Sequence, residues 1–160
     1  MAEILSWCCA LFYLLLCARS DLRTRSIRTR PAVILACCAL AFRLLYALLR
    51  APAGSSADSL LAALLEYGAG AVPGLILLFL SFAAKHAVGS GDGLACMAAG
   101  CLTGLTAEAG CLFLGLLFSA ACSAVLLIRK KASRGDCIPF LPFLFCGHAV
   151  GFILTLCSAA

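Results

Sequence analysis

The chain has 160 residues, of which 64% are hydrophobic and 12% are charged, with a net charge of +5 and a mean hydropathy of +1.12. These values lie outside the range of soluble domains and predict one integral-membrane domain over residues 1–160. A helix needs roughly 20 apolar residues to cross about 30 Å of hydrocarbon, so the chain has room for about six crossings and no additional soluble domain.

Six apolar stretches follow one another along the chain, and each is predicted to form a membrane-spanning helix. The predicted fold is therefore all-α, a polytopic membrane protein with six transmembrane helices. The stretches cover residues 4–18, 32–49, 60–84, 94–107, 111–128 and 140–157.

The first stretch is short enough to raise the alternative of a cleaved signal peptide. A signal peptide carries basic residues before its apolar core, whereas here Glu3 precedes the core and the arginines follow it. We therefore expect a retained helix whose N-terminus lies outside the cell.

The fourth stretch is the shortest, and it carries Gly100 and Gly104 four residues apart. Small residues at this spacing let two helix backbones approach closely in a membrane. The alternative is that both glycines are simple apolar filler, and the sequence does not separate the two interpretations.

Basic residues in short loops favour the cytoplasmic side of a membrane, and in this chain they alternate from loop to loop. The loops at 51–58 and 107–110 contain no lysine or arginine, although Arg50 borders the first. The pattern predicts that both chain ends lie outside and that the basic segments are cytoplasmic. Ten of the twelve basic residues fall in this cytoplasmic set: Arg19, Arg23, Arg25, Arg28, Arg30, Lys85, Arg129, Lys130, Lys131 and Arg134.

Two carboxylates are predicted to emerge on the same cytoplasmic face, Asp21 at the end of the first helix and Asp92 at the start of the fourth. An ionisable residue beside hydrocarbon is costly and by default indicates function. Either aspartate alone could instead be solvated or paired with nearby arginines. Two of them on one face favour a functional pair.

Asp92 lies in the segment GSGDG, in which Gly89, Gly91 and Gly93 surround it. Glycine lacks Cβ, so the chain there is able to adopt positive φ and to let another backbone approach. Irregular backbone at membrane depth is tolerated where it is buried in protein or lines a wet cavity. These features suit a site that holds an extended peptide against a carboxylate, although GxGD alone is too short to be specific.

Other polar residues favour structural interpretations. Glu66 is expected to pair with Arg43 across the bundle or to lie near the outer interface. His86 is expected at the interface, with substrate contact as the alternative, and His148 is expected to be hydrogen-bonded inside the bundle rather than catalytic. The twelve cysteines include no CxxC pair, so they predict apolar packing rather than a four-cysteine zinc site.

Three short motifs together resemble those of the type IV prepilin peptidase family, the prokaryotic GxGD aspartyl proteases of the membrane. GSGD, ending at Asp92, resembles the second catalytic motif of the family, and DLRTRSI, beginning at Asp21, resembles the first. IPFLPFL, residues 138–144, resembles the proline-rich start of the last helix. None is specific alone, but their order and spacing support a resemblance over nearly the whole chain.

The chain departs from the family pattern at three positions. Arg28 and Thr29 stand where the family usually has proline and asparagine, and Leu94 stands where it usually has lysine. Neither catalytic aspartate is removed by these departures, but they leave open the alternative of a diverged or inactive homologue.

The resemblance implies an aspartyl endopeptidase that removes short leader peptides from type IV pilin-like precursors at the cytoplasmic face of the plasma membrane. Asp21 and Asp92 would be catalytic and would share a proton to activate water, with Gly89, Gly91 and Gly93 shaping the substrate-binding loop. It implies no cofactor, no metal and no nucleic-acid partner. We also expect cleavage without N-methylation, as in the short family members that serve Tad-type pili.

Two other functional classes remain as alternatives, and the oligomeric state is left open. One is a small transporter or channel subunit that binds cations or protons through Asp21 and Asp92, and the other is an assembly subunit without catalysis. A transporter is expected to place its polar groups near the midplane, whereas these two carboxylates are predicted at one rim.

The charge pattern generates a topology prediction. Reporter fusions after Ala57 and Ala132 are expected to show opposite sidedness, because the first position lies in a loop without basic residues and the second in a basic loop. If both reporters were on the same side, the six-helix topology and the shared face of the two aspartates would both be wrong.

Overall fold

A computed structural model describes residues 2–24, 29–50, 56–83, 89–130 and 139–159, and within these ranges the chain is helical, without strands. The all-α prediction is therefore confirmed. In chain order the helices are α1 (Ala2–Thr24), α2 (Thr29–Arg50), α3 (Ser56–Ala69), α4 (Val72–Ala83), α5 (Ser90–Thr103), α6 (Leu105–Ile128) and α7 (Leu141–Ala159).

Each of the six predicted stretches contains helix, but the third is divided into α3 and α4. The break lies at Gly70 and Ala71, whose amides donate to the carbonyls of Glu66 and Gly68. Pro73, two residues after Ala71, has no N–H with which to continue the helical ladder. The stretch Ala57–Ala83 as a whole remains long and apolar enough to cross a membrane.

Four segments of the described chain have the length and composition of membrane-spanning helices. They are Glu3–Arg23, Ala57–Ala83, Leu105–Ile128 and Leu141–Ser158. In α2 the apolar part is the shorter segment Ala36–Tyr46, and α5 has only 14 residues. Six crossings therefore stay a prediction, as does the location of the termini.

The predicted loop at 107–110 is wrong. The chain turns instead at Gly104, which has a φ of +89° and donates its amide to the Gly100 carbonyl, and α6 begins at Leu105. A positive φ of this kind favours glycine, because a Cβ would be strained there. Glu108 consequently lies in the first turn of α6, where it is fully buried, rather than in a solvated loop.

Helices α4 and α5 pack antiparallel with their backbones in contact. A Cβ added at Gly93 would lie 2.8 Å from the Leu78 nitrogen and 3.0 Å from the Gly74 oxygen, and one added at Gly100 would overlap the carbonyl of Gly70. The close-packing interpretation is thus confirmed for Gly100, while Gly104 serves as the turn residue.

Helix α1 crosses the bundle antiparallel to both α5 and α7. Leu14 and Ala18 share a buried cluster with residues of α5 and α7, among them Ala95 and Leu144. Near the start of α1, the Trp7 ring lies 6.2 Å from the ring of Phe152 in the second half of α7. The start of α1 and the end of α7 are therefore at one end of the bundle, and the end of α1 and the start of α5 are at the other.

The contact of α5 with the α3–α4 break at Gly70 predicts that Gly100→Ala lowers the Tm. Alanine is intrinsically the better helix former by about 1 kcal/mol, but the added methyl group overlaps the Gly70 carbonyl, and overpacking costs about 1–3 kcal/mol. Gly110→Ala in α6 is the matched control, because nothing lies within 4 Å of its added Cβ. Thermal unfolding in detergent, followed by the fluorescence of the single tryptophan, compares the two. If the Gly100→Ala and Gly110→Ala proteins had equal Tm values, the close contact between Gly100 and Gly70 would be contradicted.

Candidate active site

Two aspartates lie at the same end of the bundle on antiparallel helices. Asp21 is in the last turn of α1 and is half-buried, and Asp92 is in the first turn of α5 and is 9% exposed. They come from opposite ends of their helices, so the antiparallel packing of α1 and α5 places them on one rim.

The electrostatic environment of Asp92 disfavours its charged form. Burial raises the pKa of the Asp92 carboxyl, and the negative charge of Asp21 raises it further, to about 7. Asp92 is thus partly protonated near neutral pH, whereas an ordinary aspartate would be almost fully ionised. A carboxyl group poised near the working pH is able both to donate and to accept a proton.

The glycines around Asp92 differ from the expected irregular loop. Gly89 has a φ of −63° and precedes the helix, the Asp92 amide donates to the Gly89 carbonyl at 3.0 Å, and Gly91 is within the first turn of α5. Gly104 has the one positive φ among glycines in the described ranges. The positive φ that is accessible to glycine is thus not used at Gly89, Gly91 or Gly93, because the segment starts a helix.

Steric contacts nevertheless explain why glycine stands at two of these positions. A Cβ at Gly89 would lie 3.0 Å from Oδ2 of Asp92, so glycine leaves space beside the carboxylate. Gly93 lets the backbone of α4 approach α5, an approach by another part of the protein rather than by a substrate. A role of Gly89, Gly91 and Gly93 in binding substrate stays a prediction.

Several predicted features cannot be placed at the rim. Arg28, Lys85 and His86 lie outside the described residues, and so does the side chain of Thr29. Leu94, which stands where the family usually has lysine, is half-buried two residues beyond Asp92 in α5.

Arg43 makes different contacts from those expected. Its Nη2 donates to the Leu102 carbonyl at 2.6 Å and its Nη1 to the Tyr67 hydroxyl at 3.1 Å, with the guanidinium 4.2 Å above the Tyr67 ring. The Leu102 carbonyl is in the last turn of α5, where helix carbonyls lack partners within the helix. Glu66 is exposed, so Arg43 caps α5 instead of pairing with Glu66.

A second polar cluster, which the sequence did not reveal, lies inside the bundle around Glu108. Its Oε1 accepts from the Cys96 thiol at 3.0 Å, and its Oε2 contacts the Thr103 hydroxyl at 3.2 Å and the His148 Nε2 at 2.9 Å. Glu108 and His148 are both 0% exposed. The prediction that His148 is hydrogen-bonded inside the bundle is confirmed, whereas Glu108 was missed because its segment was interpreted as a loop.

A sequence signal for Glu108 did exist. Glu108, Cys111 and Gly115 recur at helical spacing and are the buried residues of α6, so a carboxylate stands in line with small residues on one face of an apolar helix. Within the described ranges, no group of three or more His, Cys, Asp and Glu side chains has a metal-binding arrangement, and the cysteines there are free.

Comparison with known proteins identifies a family. The model of the type IV leader peptidase family matches residues 8–128, a range that includes Asp21, Asp92 and Glu108. No curated protein and no solved structure gives a significant match.

The raised pKa of Asp92 generates a pH prediction. Its carboxyl has a pKa near 3.8 in the unfolded chain and about 7 in the folded protein, so the folded state binds the proton more tightly. The resulting stabilisation is complete below about pH 4 and is lost as the pH rises through about 7. We expect Asp92→Asn to remove this part of the pH dependence of the Tm and to raise the Tm in alkaline buffer.

Asp21→Asn provides the comparison for that measurement. It is expected to reduce the pH dependence only in part, because burial is the larger cause of the raised pKa and remains. An Asp92→Asn protein whose Tm follows the same pH profile as the wild type would contradict the assignment.

Proposed function

The chain belongs to the type IV leader peptidase family, and on this basis we propose that it is an intramembrane aspartyl endopeptidase that removes the leader peptides of pilin-like precursors. The observation that carries the proposal is the placement of Asp21 and Asp92 on one rim, with the pKa of Asp92 raised to about 7. Two carboxyl groups held together do not both ionise readily, so the pair shares a proton and titrates as a unit.

The shared proton supports acid–base activation of water. The ionised carboxylate takes a proton from water as the oxygen of that water attacks the scissile carbonyl carbon, and the protonated carboxyl donates its proton to the carbonyl oxygen. Collapse of the tetrahedral intermediate breaks the C–N bond and passes a proton to the leaving amine. Asp92, with its raised pKa, is the member that we assign as proton donor in the first step.

The charge distribution supports a cytoplasmic position for this site in the plasma membrane. Arg19 and Arg23 flank Asp21 at the end of α1, and Arg129 and Lys130 follow α6, which runs parallel to α1. Basic residues of this kind are retained on the cytoplasmic side. A pilin-like precursor has its scissile bond between a polar leader and an apolar helix, so a rim-located site meets that bond at the membrane boundary.

A transporter or channel function has one observation in its favour, the polar pair Glu108 and His148 inside the bundle. Both side chains are completely buried and contact each other, so they form a closed contact rather than an open binding site. The family match and the rim location of Asp21 and Asp92 favour the peptidase.

The proposal predicts strongly non-additive effects of the aspartates. Asp21→Asn and Asp92→Asn are each expected to abolish detectable cleavage, a loss of about 10²–10⁴-fold or more for a positioned acid or base. The double variant is expected to be hardly worse, because the two residues act as a unit. Co-expression with pilin-like precursors from neighbouring genes, with a leader-sized mobility shift on a gel as the readout, tests this expectation.

Leu94→Lys is the matched control in the same turn of α5. It introduces the residue that the family usually has, and a lysine at the rim extends its ammonium group to water, so cleavage is expected to persist. Substantial processing by a well-expressed Asp92→Asn protein would overturn the catalytic assignment.

A further inference from the structure

We propose that Glu108, held in place by His148, is a positioning residue that fixes the rotation and depth of α5 and thereby directs Asp92 toward Asp21. The proposal deepens the proposed peptidase function and rests on it. It assigns a role to a buried carboxylate that the acid–base scheme does not use, and it concerns α5, the helix that carries one of the two reactive groups.

The geometry on α5 is the first support. Asp92, Cys96 and Thr103 are spaced by four and seven residues, so they lie along one face of the helix. The single carboxylate of Glu108 contacts two of them, with Oε1 at the Cys96 thiol and Oε2 at the Thr103 hydroxyl. Because these contacts are two turns apart, rotation of α5 or a slide along its axis would break both.

On the side away from α5, Glu108 contacts His148, which is itself held by α7 and α1. His148 of α7 approaches Oε2 through Nε2 at 2.9 Å, and its Nδ1 lies 3.0 Å from the Leu144 carbonyl. The Trp7 ring of α1 packs edge-on against the imidazole at 6.2 Å. Glu108 therefore cannot follow α5 if that helix moves, and it links α5 to α6 and α7.

The hydrogen-bond partners of Glu108 and His148 determine how many protons the two side chains hold together. A carbonyl oxygen only accepts, so Nδ1 of His148 must carry a hydrogen, and one further proton is shared between Nε2 and Oε2 of Glu108. The pair is thus either imidazolium with carboxylate or neutral imidazole with carboxylic acid. In both states, loss of one partner leaves a buried polar group unsatisfied.

Glutamine at position 108 would preserve this geometry without a charge. Its Oε1 would accept from Cys96, and its amide nitrogen would donate to Nε2 of His148 and to the Thr103 hydroxyl. That hydroxyl donates to Oε2 in the wild-type protein and would donate instead to the Ala99 carbonyl, 3.1 Å away. Glu108→Gln is therefore the conservative variant that separates geometry from charge.

Replacing both Glu108 and His148 separates an effect on the position of α5 from an effect on stability. A buried ion pair contributes little net stability, and well-packed apolar residues in its place are often neutral or stabilising. Glu108→Leu combined with His148→Leu is thus expected to fold while losing the directional contacts to α5. Cys96→Ala combined with Thr103→Val removes the contacts from the α5 side and leaves Glu108 with His148. Ser123→Ala, which removes a hydrogen bond within α6, is the control.

The experiment measures these variants in detergent with a pilin-like precursor. Relative to wild type, we expect the Glu108→Leu/His148→Leu protein to lose up to about 100-fold in kcat, the loss that a misplacement of about 1 Å produces, with KM changed less than about twofold. The Cys96→Ala/Thr103→Val protein is expected to lose kcat in the same way. Glu108→Gln retains most activity, and Ser123→Ala retains all of it.

A second readout does not depend on cleavage. The carboxyl C=O infrared band of Asp92, identified by its absence in Asp92→Asn, reports the protonation of that residue as the pH is varied. Burial and the charge of Asp21 raise the pKa of Asp92. The part of α4 that packs against α5 at Gly93 contributes backbone atoms there. If α5 is displaced, both causes weaken, so the titration midpoint is expected to fall in the two double variants and to stay unchanged in Glu108→Gln and Ser123→Ala.

The outcomes distinguish the two proposals. If wild type cleaves no precursor but the midpoint falls only in the double variants, the proposed function fails and positioning by Glu108 stands. If both double variants keep the wild-type kcat and midpoint, or if Glu108→Gln behaves like Glu108→Leu/His148→Leu, positioning by Glu108 is wrong. If one double variant does not fold, the titration midpoint of Asp92 in the other double variant tests positioning by Glu108.

Discussion

The seating of α5 at the centre of the bundle is the constraint on which the other features depend. This helix has 14 residues, too few to span the hydrocarbon by itself, yet it packs against α1, α2, α4 and α6. On one side the backbone of α4 approaches it at Gly93, and the backbone of the α3–α4 break approaches it at Gly100. On the other sides it is held by polar contacts, Arg43 at its last turn and Glu108 along one face. The depth and direction of Asp92 follow from these contacts.

The polar groups of the bundle fall into two sets, those enclosed in its interior and those at its rim. Arg43, Glu108 and His148 are enclosed, and each has specific hydrogen-bond partners, because an unsatisfied polar group is costly in an apolar bundle. Asp92 is placed at the rim, where burial and a neighbouring carboxylate raise the pKa of its carboxyl to about 7. The enclosed polar contacts thus hold the helices together, whereas the carboxyl group at the rim is the one that we propose as catalytic.

Much of the fold could be predicted because apolar length is a local property. The stretches around Leu14, Phe113 and Phe145 are helical as expected, and the charges beside Asp21 were sufficient to place that residue at a helix end. The turn was predicted wrongly at 107–110, because the polar Glu108 was interpreted as a loop residue, whereas Gly104 makes the turn. The segment around Asp92 was interpreted as irregular because its glycines lack Cβ, although the chain there begins α5.

The sequence by itself determined that the chain is a helical membrane protein, which residues are chemically able to form a site, and which motifs relate it to a peptidase family, because composition, order and spacing are properties of the chain. Only the tertiary structure decided that Asp92 is buried beside a second carboxylate, that Arg43 caps α5 rather than pairing with Glu66, and that Glu108 lies between Cys96 and His148. These relations join residues far apart in the chain, and the energy of a buried charge depends on the partners that packing brings to it.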